Sequence, residues 1–98
     1  MKHYLLVYGK DLGKREEIKA CLESLPQVNS WRFEMPNSFF IRSELDAKEL
    51  GDVIQACRNV ENPRYFLVEI PPQDPKRSWG WLVADSWLFM GREPKSKS

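Results

Sequence analysis

Six side chains in this sequence are of the types that grip a single-stranded nucleic acid: the rings of Tyr4, Tyr8, Phe40 and Tyr65, and the guanidinium groups of Arg32 and Arg42. Rings stack on bases, and arginines stack as well as neutralise phosphates. That chemistry works only if the six converge on one surface. Carboxylates are the other groups with chemical reach. Glu34 and Glu69 could meet across a sheet face with Arg32 and Arg42 nearby, and Asp11 lies on a turn after the first apolar run. Exposed ion pairs of this kind are common and contribute little, so their ordinary role is a solvated surface. Glu16 and Glu17 read as a charged helix face. The single histidine, His3, has no partners spaced for zinc. No nucleophile elbow, zinc-protease helix, phosphate loop or dinucleotide fingerprint occurs. The expectation is a protein with no catalytic residue, no metal site and no cofactor.

The elements that must position these groups follow from hydrophobic period. "HYLLVY" (His3–Tyr8) is apolar on both faces and bounded by Gly9, which suits a central strand. From Lys14 to Leu25 the residues Ile18, Cys21, Leu22 and Leu25 form one helical stripe, ended by Pro26. "SWRFEM" alternates, with Trp31, Phe33 and Met35 on one side and Ser30, Arg32 and Glu34 on the other. "FFIR" returns after the turn "PNS", so Asn29–Arg42 reads as a hairpin. Asp46 and Glu49 have capping-box spacing, with Leu45 and Leu50 placed as a hydrophobic staple. Leu50, Val53, Ile54, Cys57 and Val60 then form an inward stripe. Gly51 costs that helix up to about 1 kcal/mol relative to alanine, which a close approach to a neighbour would explain. "RYFLVEI" (Arg64–Ile70) is a strand, stopped by Pro71 and Pro72.

Strand, helix, strand, strand, helix, strand is the order of an α+β, ferredoxin-like βαββαβ sandwich, with both helices on one face of an antiparallel sheet. The other face then needs a cover. Assigning strand phases from alternation, Tyr4, Leu6, Tyr8, Phe40, Arg42, Tyr65, Leu67 and Glu69 are expected there beside Arg32 and Glu34. Its apolar centre is larger than a soluble monomer ordinarily leaves bare. The Trp-rich stretch "SWGWLVADSWLFM" (Ser78–Met90) is the expected lid, extended at first and then a short helix from Ala84 or Asp85. Trp79, Trp81, Leu82, Trp87, Leu88 and Met90 are its expected contact residues, against the chain's own sheet or a partner's. "PPQDPKR" is the stiff polar connector.

Several of these stretches resemble a known family. "YLLVY" with its helix, "WRFEMPNSFFIRSELDAKELGDVI", "RYFLVEI" and "GWLVADSW" are similar to small proteins of the SinR-like group. These are ferredoxin-like and distantly grouped with the CRISPR-associated adaptation subunit first described as an endoribonuclease. The resemblance spans residues 3–90, and its most specific part is Gly80–Trp81–Leu82 followed by Trp87. It implies the fold and a tendency to dimerise. The nuclease side of that grouping needs an acidic residue at the end of strand one. Here Gly9 stands there, and Asp11 lies two positions on, on a Gly-flanked turn that holds a metal ligand poorly.

Size and charge bound the rest. The chain has 98 residues and a formal net charge of +1, enough for one small domain and with no global field to attract nucleic acid or membrane. Residues 1–91 are expected as that domain, lid included, with 92–98 ("REPKSKS") a flexible basic tail. No run reaches the roughly 18–20 apolar residues of a membrane span, and the N-terminus lacks signal-peptide features, so a cytoplasmic location is expected. Cys21 and Cys57 fit no metal spacing and fall on inward helix stripes, as reduced core thiols. The functional expectation is a non-catalytic homodimeric interaction module. The alternatives are a single-stranded RNA- or DNA-binding protein using the aromatic sheet face, and a weak metal-dependent nuclease.

Overall fold

A computed structural model describes residues 1–71, 82 and 84–90, with Trp87 described in its backbone only. Apolar-rich stretches form β1 (Lys2–Tyr8), β2 (Val28–Arg32), β3 (Ser38–Ser43) and β4 (Tyr65–Glu69). The stripes at helical spacing form α1 (Arg15–Ser24) and α2 (Ala47–Arg58), and a short α3 spans Ala84–Phe89. The strands make one four-stranded antiparallel sheet in the order β2-β3-β1-β4. The fold is α+β. No helix among the described residues is long and apolar enough to cross a membrane.

Helix ends follow local chemistry. Asp46 accepts from the Glu49 N–H (2.8 Å), and Glu49 accepts from the Asp46 N–H (3.0 Å), the reciprocal box expected from their spacing. At α1, Glu17 accepts from the Lys14 N–H at 2.8 Å. α2 ends on Asn59 in the left-handed region (φ 51°), where a short polar side chain is tolerated.

The main core lies between the sheet and the first two helices. Tyr4, Leu6 and Tyr8 of β1 and Phe39 and Ile41 of β3 pack with Ile18 and Leu22 of α1 and with Leu50 and Ile54 of α2. Trp31, Tyr65 and Leu67 pack partly buried against this cluster. Arg58 pins the loop below it by donating to the Leu12 carbonyl (2.7 Å) and pairing with Glu17 (3.5 Å). Gly13 sits at φ +126°, a conformation any residue with a Cβ adopts only with strain, and lies directly against that guanidinium.

Three expectations are corrected. Tyr4, Leu6, Tyr8, Tyr65 and Leu67 face the helices, and Leu5, Val7, Phe66 and Val68 take the open face. β1 is apolar in both phases, so its own pattern gave no direction. Pairing decides it: Tyr4 lies opposite Ile41 and Leu6 opposite Phe39, and Ile41 and Phe39 supply the buried half of β3. Glu69, opposite Tyr4, goes with them and away from Glu34. The second correction concerns β2, which leaves the ladder after Arg32 rather than running to Met35. Phe33 still stacks on Trp31 (ring centroids 6.4 Å apart), and Arg15 covers it at 4.6 Å, whereas Met35 is exposed. Thirdly, Cys57 is exposed at the rim of the α1–α2 seam, beside Ser24 (3.7 Å), and only Cys21 is buried. Both thiols are free, and burial, with a further contribution from the neighbouring Cys57 thiol, pushes Cys21 up to about 12.

Candidate interaction face of the sheet

On the open face the register sets out rows of side chains. Arg32 lies opposite Phe40, Phe40 opposite Leu5 and Leu5 opposite Val68. One row along, Ser30, Arg42 and His3 stand side by side. One row the other way, Ser38, Val7 and Phe66 align. α3 lies on the part of this face nearest β3. Met90 is buried against Phe40, with Leu5, Ile70, Leu82 and Phe89 packed around them.

Two polar clamps hold α3 in place. The Arg42 Nε donates to the Phe89 carbonyl at 2.8 Å, its Nη2 donates to the same oxygen, and the guanidinium sits 4.0 Å from the Phe89 ring centroid. A carbonyl near a helix C-terminus carries partial negative charge, so a cation there is favourable. The Arg32 Nε donates to Ser86 Oγ at 2.7 Å, and Ser86 donates onward to Glu34. Ser86 is fully buried, and this relay satisfies its hydroxyl in both directions.

The six aromatic and basic candidates are therefore divided by the sheet. Arg32, Phe40 and Arg42 share the open face, beneath α3. Tyr4, Tyr8 and Tyr65 stand on the other side. Tyr4 donates to the Leu45 carbonyl at 2.6 Å and Tyr65 to Gln55 Oε1 at 3.2 Å. Burial raises the hydroxyl pKa of Tyr4 and of Tyr8, for Tyr4 with a further contribution from the charge of Glu69. Of the expected lid residues, Leu82 and Met90 pack on the sheet, while Leu88 points outward at 57% exposure. Phe89 takes the place expected of Leu88, because one turn of helix cannot aim both at the sheet. Trp79, Trp81, the side chain of Trp87, the connector after Pro71 and the tail 92–98 lie outside the described residues.

Sequence reading missed the strip that α3 leaves bare. Val7, Phe66 and Val68 are 44%, 68% and 39% exposed and adjoin one another across β1 and β4. Strict alternation within "RYFLVEI", with β1 placed in the correct phase, would have found it. Beside it, on the other side of the β4 edge, a groove of about 330 Å³ runs between Tyr65, Phe66 and Leu67 and the small and charged residues Ala47, Lys48, Gly51 and Asp52 of α2.

As for catalysis, Asp11 pairs with Arg64 at 3.7 Å on the loop after β1. Among the described residues no group of three or more His, Cys, Asp or Glu stands together as a metal site. Among the described residues the open face offers hydrophobic contact and main-chain pairing. No protein-family model, curated protein or solved structure matches the chain.

Proposed function

We propose that this chain is a non-catalytic, homodimeric interaction module. The observation that carries the reading is the exposed apolar strip Val7–Phe66–Val68, next to the β4 edge, which no other strand pairs among the described residues. Contiguous apolar surface of this kind marks a docking site in a soluble protein. Support for the finer fold reading, a ferredoxin-like sandwich, comes from the βαββαβ order and the central position of β1 and β3. The same features agree with kinship to the SinR-like group. A cytoplasmic site of action fits the two free thiols.

Nucleic-acid binding ranks below this reading for a geometric cause. A strand of RNA would have to displace α3 to reach Arg32, Phe40 and Arg42, and it would still lack the three tyrosines. The nuclease reading rests on Asp11 alone, whose carboxylate already faces Arg64.

Sedimentation velocity on the full chain across the micromolar range tests the proposal. Twice the chain mass, with self-association that strengthens with concentration, is the expected result. A single monomeric species throughout that range removes it.

A further inference from the structure

The two edges of the sheet are built differently. β2 carries polar residues, Asn29, Ser30 and Arg32, and a register shift between Val28 and Ser30. Bulges and polar or charged residues are the usual means of preventing edge pairing. β4 has no bulge, and its one charged residue, Glu69, stands at its end. Its register with β1 is uninterrupted from Tyr65 to Glu69, and four of its five residues, "YFLVE", are aromatic or aliphatic.

Main-chain direction can be read from that ladder. The Gly9 N–H donates to the Arg64 carbonyl (2.9 Å), and the Ile70 N–H donates to the His3 carbonyl (2.8 Å). In antiparallel pairing, bonded and non-bonded positions alternate. Arg64, Phe66, Val68 and Ile70 thus turn their main-chain groups to β1, and Tyr65, Leu67 and Glu69 turn theirs outward. Among the described residues nothing takes the outward groups, since β4 ends the sheet.

Resting on the homodimer reading above, we infer that the second copy docks here, β4 against β4, antiparallel about a two-fold axis at Leu67, to give one continuous sheet across both chains. The strand is complementary to itself in that register. Leu67 pairs with Leu67, and Tyr65 with Glu69 of the second copy, so every outward N–H and C=O of the strand finds a partner. Phe66 then falls opposite Val68 of the second copy, at non-bonded positions where side chains approach most closely. The two most exposed apolar side chains of the strand are thereby covered by each other. A two-fold interface requires each contact to recur reciprocally, and a centre at Leu67 is the one that overlaps the whole strand. The flanking groove is compatible, because Ala47 and Gly51 put little bulk beside the edge. Lys48 and Asp52, paired within α2 at 2.8 Å, offer both signs of charge to their symmetry copies. With a net charge of +1, two copies approach with little repulsion.

The test uses full-length chains that carry Phe66→Asp or Val68→Lys. Both side chains are surface groups, so circular dichroism and the melting profile should match those of the parent. Each variant alone should show dimerisation weakened by at least about tenfold. Mixed in equal amounts, the two variants should recover a dimer. In the mixed pair the new carboxylate faces the new ammonium at one junction, and Phe66 meets Val68 at the other. A parent chain that stays monomeric overturns the homodimer reading itself. A parent dimer untouched by either substitution, or variants that dissociate and show no recovery on mixing, overturns the β4 register alone and leaves dimerisation through another surface.

Discussion

Glu17 shows how one exposed carboxylate ties three segments together. It accepts the Lys14 N–H at the start of α1, and that bond is the main cause of its lowered pKa; the charge of Arg58 adds to it. A folded pKa below 4.5 means that the contribution is complete above that pH and is lost as pH falls through the lower, folded value. The acid limb of a urea-stability profile below pH 4.5 should therefore be shallower in Glu17→Gln than in the parent; superimposable limbs would contradict the assignment. Tyr4 is a second residue-scale case. Its hydroxyl satisfies the Leu45 carbonyl from inside the core. Tyr4→Phe should cost about 1 kcal/mol in urea unfolding, and an unchanged midpoint would show that water replaces the bond. Neither role was equally legible beforehand. Asp46 and Glu49 announced their box through spacing, because a cap is a local contact. Tyr4 was placed on the wrong face, because a strand apolar in both phases takes its direction from partners distant in sequence.

Elements met through small residues are where local rules and tertiary contact compete. Gly51 lies inside α2, where an alanine would favour the helix by up to about 1 kcal/mol. A Cβ there would stand 3.0 Å from the Tyr65 hydroxyl, which is also bonded to Gln55 at 3.2 Å. The close approach that Gly51 implied in the sequence is thus the packing of α2 on β4. A double-mutant cycle separates the two effects. Gly51→Ala should bring no gain in the parent, and should bring most of the helix-propensity gain in a Tyr65→Phe background; additive free energies would remove the steric explanation. The stripes of α1 and α2 were legible because they are long and periodic. β2 was carried three residues too far, to Met35 instead of Arg32, since Phe33 continues the alternation in sequence while the chain has already left the ladder. Its ring is held by Trp31, Phe39 and Arg15 instead.

At the scale of the whole molecule, the sheet separates two kinds of cohesion. On the α1–α2 side a continuous apolar cluster joins most elements. On the other side α3 is held by a small cluster around Phe40 and Met90 and by two arginine clamps. A six-residue helix held, among the described residues, by one small apolar cluster belongs to the low-stability end of a fold, where opening is local rather than global. Combining Arg42→Ala with Met90→Ala in the full chain removes one clamp and the main apolar plug together. The main core contains neither residue, so the melting midpoint should fall only modestly. Amide exchange in Ala84–Phe89 should accelerate by far more than exchange in β1 or β3, and binding of a hydrophobic dye should rise as Phe40 and Leu5 are uncovered. The same variant also probes what lies beneath α3. If Arg32 and Phe40 form a latent nucleic-acid surface, a single-stranded oligonucleotide will bind the variant in a salt-sensitive manner while leaving the parent untouched. The expected result is no binding to either, since the rings that would complete a stacking platform, Tyr4, Tyr8 and Tyr65, face the opposite side of the sheet. Uniform acceleration of exchange across all strands would instead make α3 an integral part of one cooperative unit.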